Sequence, residues 1–339
     1  MTDTLTETVD AAAQPSRDLA SLPKGHLHLH LEAAIRPETL TAMGDEMGIV
    51  VPMVNDFSDF TEFSQTYRGL LAVLSRADNL FRLIDEAVKD AAAQGVVYLE
   101  LGVSPHFYAE TFGSTQAALE AMLERAAVAG GHHNVAVGYM VTVDRTESVE
   151  VAVEYARLAA RYAGQGVVSL GLANDERGYP AELFEEAFAI AKAAGLMSTP
   201  HAGELVGPES VRNAITALGA DRILHGVRAI EDAELVAELA ASGICLDVCP
   251  TSNLLLSVVP SLEEHPLIHL LDAGVRCSIN ADDPILFGPD ILAEYELCRE
   301  VLGLSDQQLA ACALSSIECT AAPESVKTKA KADIEAWLS

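Results

Sequence analysis

Four short stretches hold the residue types that can do chemistry. GHLHLHLE places His26, His28 and His30 on alternate residues; HAGE carries His201 and Glu204; RILHG ends near His225; NADDP holds Asp282 and Asp283. Imidazoles with one carboxylate suit Zn²⁺, and a coordination position left open to water makes such a site catalytic. The ion brings the pKa of its bound water down towards 7. On a strand, residues two apart share a face, so His28 and His30 can reach one ion together. His26 lies about 7 Å further down at roughly 3.3 Å per residue, too deep to join them. His201 and one carboxylate of the Asp282–Asp283 pair complete a three-nitrogen, one-oxygen set. Glu204, His225 and the second aspartate are then left for proton transfer and orientation. Each motif alone has an ordinary explanation. HAGE can cap a helix, and DDP can be a turn. Occurring in one chain order, each at the end of an apolar run, they read as one site. The remaining histidines are assigned structural places: His132 and His133 in a polar loop, His265 and His269 at a helix start and its surface, His106 within SPHF.

A site assembled from strand ends needs strands to carry it. Apolar runs at 24–31, 96–103, 135–143, 167–173, 196–201, 222–226, 244–250 and 275–280 read as eight strands. Between most of them lie stretches of helical period, such as 181–195, 208–220 and 232–243. That alternation predicts parallel pairing through βα units, and the count and length favour a (β/α)8 TIM barrel. No glycine-rich phosphate fingerprint follows the first strand, which disfavours an open doubly wound sheet. Barrel sites gather at the C-terminal ends of the strands, which is where these ionisable residues fall. Residues 22–339 read as one domain and residues 1–21 as a disordered acidic tail without the basic start of a signal peptide. The excursion at 57–88 predicts extra helices after the first strand, acting as a lid, with Phe57, Phe60 and Phe63 packing over a ligand. The chain of 339 residues is 50% hydrophobic, and its net charge of −29 argues against nucleic-acid and membrane partners. No run reaches membrane-spanning length. Six cysteines, all in the last third and with no CxxC pair, read as free thiols in a reducing cytoplasm.

Over about residues 22–335 the sequence resembles the adenosine deaminase family of the amidohydrolase superfamily. The resemblance is carried by PKGHLHLHLEAAIRPETL, YLELGVSPH, LANDE, HAGE, RILHGV, CPTSNLLLSVV, SLEEHPL, SINADDP and SIECTAAPESVK. It implies one Zn²⁺ per chain held by His28, His30, His201 and Asp282, and a role in purine metabolism. It implies Glu204 beside the purine N1, protonating it as an activated water attacks C6, with His225 steadying that water. Asp283 would bond N7, the backbone at Asn174 would face N3, and Glu32 would reach towards the sugar; His30 would also border the substrate. The chain departs from the family pattern at Glu32-Ala33 (usually Asp-Gly), at Asn174 (usually Gly), at His26 (usually Glu) and at Gly102 (commonly Arg). None of these is a metal ligand or the N1 acid, so the expected reaction is hydrolytic deamination of a 6-aminopurine. Adenosine and deoxyadenosine lead as substrates, with adenine and aminodeoxyfutalosine as the other readings. Strand four ends in GLANDE without the lysine that a two-metal barrel would use. A relative acting by binding alone would be expected to lack the proton-transfer set, and Glu204, His225 and Asp283 are all present.

Overall fold

The computed structural model describes residues 17–51 and 60–339, and side chains only from Thr66 onward in the second stretch. Eight strands lie in chain order in one parallel sheet: β1 Lys24–His26, β2 Val96–Val103, β3 Ala136–Asp144, β4 Val167–Ala173, β5 Met197–Ala202, β6 Arg222–His225, β7 Cys245–Val248 and β8 Arg276–Ile279. Helices follow the strands and bury their apolar faces against the sheet, as in a (β/α)8 barrel. Beyond their short ends, β8 and β1 are joined where His30 N–H donates to the Asp282 carbonyl at 3.1 Å and Asp282 N–H to that of His28 at 3.0 Å. The barrel therefore closes at the residues expected to hold metal.

Strand β1 is shorter than the apolar run predicts. It stops at His26 because the Asn280 side-chain oxygen takes the N–H groups of both Leu27 (2.7 Å) and His28 (3.2 Å), displacing the regular ladder. The alternation of faces is broken there. His26 lines a separate cavity with Leu29, Ile35 and Pro284, one that His28 and His30 do not line, and its Nε2 faces the Ala281 N–H. Its direction keeps it from the site, in addition to the depth expected along the strand.

The barrel interior beneath the site is charged. Arg222, fully buried, donates to Glu100 at 2.8 Å and to Asp247 at 2.9 Å, and Ser169 and Ser278 satisfy the same carboxylates. Burying such groups is tolerable only when they are paired and hydrogen-bonded.

Helices Phe60–Val73 and Ala77–Ala93 occupy the excursion after β1. Phe57 and the side chains of Phe60 and Phe63 lie outside the described residues. Residues 17–21, placed in the tail by sequence, pack on the barrel: Leu19 is buried, Arg17 donates to the Leu338 carbonyl and Trp337 to that of Asp18. His132 and His133 end helix Thr115–His133 and are not in a loop. Five of the six cysteines are buried. Among the described residues no helix is long and apolar enough to cross a membrane.

Candidate active site

The C-terminal ends of the strands bring the expected residues together. His201 lies in β5, His225 ends β6, Asn174 follows β4, and Asp282 and Asp283 follow β8. Three of these, Asn174 (φ 80°), His225 (φ 64°) and Asp282 (φ 61°), adopt the left-handed backbone. Such conformations cost roughly 1–3 kcal/mol each and collect at functional sites. At position 174 the geometry explains why asparagine can stand where the family has glycine, since asparagine tolerates this region better than most residues. Its side chain donates to Asp144 at 2.8 Å and accepts from Asp175 N–H, so it is anchored beside the cavity.

Four side chains converge. His28 Nε2 lies 3.1 Å from His201 Nε2 and 3.1 Å from Asp282 Oδ1, while His30 Nε2 is 3.3 Å from the same oxygen. The other ring nitrogens settle the proton positions. His28 Nδ1 faces the Asp247 carbonyl at 3.2 Å and His201 Nδ1 that of Leu172 at 2.9 Å. A carbonyl only accepts, so both Nδ1 atoms carry hydrogen; as neutral rings, the form that binds a metal, they turn Nε2 lone pairs on each other and on a carboxylate. That arrangement fits a cation. A tetrahedral site with bonds near 2.0 Å has ligand–ligand edges of about 3.3 Å, close to these separations. Ser252 Oγ donates to Asp282 Oδ2 at 2.7 Å, leaving Oδ1 for the metal position. Burial and the neighbouring His28 and His225 hold the His201 pKa well below its usual value. Among the described residues two overlapping groups satisfy the spacing of a metal site: His28, His201, His225 and Asp282, and His30, Asp282 and Asp283.

Glu204 is 5% exposed and its Oε1 lies 3.4 Å from His225 Nε2. Burial, then the carboxylates of Asp282 and Glu176, push its pKa well above the usual carboxylate range. Its loop is held by Glu176, whose carboxylate accepts from the N–H groups of Gly203, Glu204, Leu205 and Val206 at 2.7–3.1 Å and from Ser210. Gly203 (φ 67°) is required in this loop, because a Cβ there would sit 2.4 Å from Val211. Arg145 donates to the His201 carbonyl at 2.6 Å from below. Sequence reasoning passed over Glu176, Ser252 and Arg145. LANDE and CPTSN contained the first two, but nothing in residue type marks what they reach.

A cavity of about 350 Å³ opens over these groups, lined by His30, Glu204, His225, Asp283, Asn174 and, at its rim, Asp144. Helix Phe60–Val73 contributes Tyr67, Arg68 and Leu71 to one wall. Asp283 Oδ1 is buried without a hydrogen-bond partner. Glu32 stands apart from the expectation for it. It does not line the cavity; Tyr67 (2.6 Å) and Tyr108 (2.7 Å) each donate a hydroxyl hydrogen to one of its oxygens. The apolar space near Gly102 is filled by Met140, whose Cε lies 3.0 Å from where a Cβ would be.

The adenosine deaminase family model matches residues 23–337. A putative adenosine/adenine deaminase of Streptomyces coelicolor is 40% identical over 95% of this chain and 98% of its own length. An aminodeoxyfutalosine deaminase of Streptomyces avermitilis is 34% identical over 99% and 100%. Among solved structures, an adenine deaminase from Arthrobacter aurescens superposes with TM-score 0.87 at 29% identity, covering 93% of this chain and 99% of that one. An amidohydrolase from Burkholderia ambifaria with bound Zn gives 0.83 at 26%, covering 94% and 92%. With a strand-end site fit for zinc on a matching barrel, the chain belongs to the adenosine deaminase family of zinc-dependent hydrolases, which release ammonia from cyclic amidines.

Proposed function

We propose that this deaminase acts on a 6-aminopurine nucleoside, adenosine or deoxyadenosine, giving the 6-oxo product and ammonia. The observation that carries this reading is the extent of the cavity. Besides Asp283, Glu204 and Asn174 its lining includes the polar side chains of Ser104, Thr142, Asp144 and Glu147, more than a bare purine would contact. The described lining holds one arginine, Arg68, and no lysine, together with the carboxylates of Asp144 and Glu147, so an uncharged sugar suits it better than a phosphate.

His28, His30, His201 and Asp282 would hold one zinc per chain, which when bound makes water nucleophilic near neutral pH. Glu204, kept protonated by burial, donates to N1 and drains charge from the ring as C6 is attacked. His225 orients the incoming water by donating through Nε2, next to Glu204. Burial and the neighbouring Asp282 push the Asp283 pKa well above its usual range, so its unpartnered Oδ1 can carry a hydrogen and donate it to N7, and the backbone at Asn174 faces N3. Glu32 acts at one remove, fixing Tyr67 on the cavity wall.

Ammonia release from adenosine, deoxyadenosine, adenine and aminodeoxyfutalosine tests the assignment. The nucleosides should exceed the free base in kcat/KM by at least about tenfold, because sugar-binding polar groups left unpaired penalise the smaller substrate. Adenine as the best substrate would overturn the nucleoside reading, and aminodeoxyfutalosine as the best would overturn the choice of adenosine or deoxyadenosine; either leaves the deaminase.

A further inference from the structure

His225 presents a problem of chemistry. It sits in the metal-spaced group with His28, His201 and Asp282, so its Nε2 could be either a metal ligand or a proton carrier. Which it becomes depends on the ring nitrogen that holds its hydrogen, and a buried chain of bonds reaching away from the site decides that. The Leu267 backbone N–H points at His265 Nδ1 at 3.2 Å. His265 Nε2 is 3.2 Å from Asn253 Oδ1, and Asn253 Nδ2 is 3.1 Å from His225 Nδ1. All three side chains are at most 2% exposed, so water does not compete for these bonds.

The direction follows from the first donor. A backbone N–H can only donate, so His265 Nδ1 accepts. Burial holds the His265 pKa down at about 4, so near neutral pH the ring is uncharged and its one hydrogen is on Nε2. The Asn253 atom facing that hydrogen must be the oxygen, which turns the amide NH2 towards His225. His225 Nδ1 must then accept, and the ring's hydrogen is on Nε2, aimed at Glu204 Oε1 (3.4 Å) and Asp282 Oδ2 (3.8 Å). We propose that Asn253 and His265 are positioning residues that lock His225 in the Nε2–H tautomer, keeping it a hydrogen-bond donor to the reacting water and barring it from the metal. The proposal rests on the deaminase reading of the site for its use, but not for its geometry.

Asn253→Asp reverses the lock, because a carboxylate accepts from both histidines and leaves His225 Nε2 a bare lone pair. His265→Gln preserves the polarity, since its amide can accept from Leu267 and donate to Asn253, whereas His265→Leu removes the donor. Long-range ¹⁵N NMR of histidine-labelled protein, with zinc and after its removal, reads the tautomer directly. The wild type and His265→Gln should show His225 protonated at Nε2 in both states, and Asn253→Asp should show it protonated at Nδ1. Turnover in Asn253→Asp should fall about 10²–10⁴-fold with KM little changed, as for a histidine held in the wrong tautomer, while His265→Gln stays within about tenfold of wild type. His265→Leu should fall between the two. A wild-type His225 protonated at Nδ1, or a tautomer indifferent to Asn253→Asp, would overturn the lock. Absence of any purine deamination with the tautomer as stated would instead sink the reading of the reaction and leave the lock standing.

Discussion

Glu204 is a carboxylic acid in a place that forbids it to ionise easily: it is buried, near Asp282, and on a loop whose backbone is tied to another carboxylate. Its raised pKa means the proton persists to a higher pH than an ordinary carboxylic acid allows. The kcat/KM profile should therefore fall as pH rises through that value. Glu204→Gln should bind zinc at wild-type stoichiometry yet lose about 10²–10⁴-fold in kcat, the usual worth of a general acid. A variant that still turns over within tenfold of wild type would remove Glu204 from N1. Asn174 shows how a departure from the family pattern can be neutral in geometry. Its φ of 80° lies in the left-handed region that asparagine and glycine tolerate best, and its side chain turns to Asp144.

At the scale of elements, the site is a set of strand ends held by groups outside it. Glu176 holds the loop 203–206 through four backbone hydrogen bonds. Glu176→Gln replaces one acceptor oxygen by a donor facing N–H groups. It should lower kcat about tenfold or more and reduce stability by roughly 1–3 kcal/mol, the cost of leaving buried donors unpaired. Zinc content and urea midpoint, measured beside kcat, separate this from loss of the metal site. Arg222 spans Glu100 and Asp247 under the barrel floor. Arg222→Met should destabilise by about 3–5 kcal/mol because it leaves two carboxylates buried without a cation; a near-neutral urea midpoint would contradict that. The strand ends were readable from the apolar runs, and β4 at 167–173 matches to the residue. The break after His26 was not, since it is caused by a side chain at position 280. Glu176 and His265 were equally hidden: a carboxylate after a strand and a histidine before a helix look solvated until the fold brings residues 27 and 12 positions away against them.

For the whole molecule, burial near the site shapes how stability depends on pH. Glu294 is 1% exposed, its Oε2 has no hydrogen-bond partner, and burial raises its pKa from 4.5 to about 8. The folded chain thus keeps a proton that the unfolded chain releases. Its contribution is fully present below about pH 4.5 and is lost as pH rises to about 8. Between pH 5 and 8.5, wild type should lose roughly 2–4 kcal/mol more than Glu294→Gln, read from urea midpoints; parallel losses would contradict the shift. Barrel class and the location of chemistry at the strand ends were legible because periodicity and chain order encode them. Which nitrogen of which histidine is bare was not, because that depends on carbonyls of Asp247 and Leu172 delivered by other strands. The most direct test of the account is a zinc titration of metal-stripped protein with ammonia release from adenosine followed at each addition. Activity should be absent without metal, rise linearly and level off at one zinc per chain. Full activity in the stripped protein, or a plateau reached only at two, would contradict it.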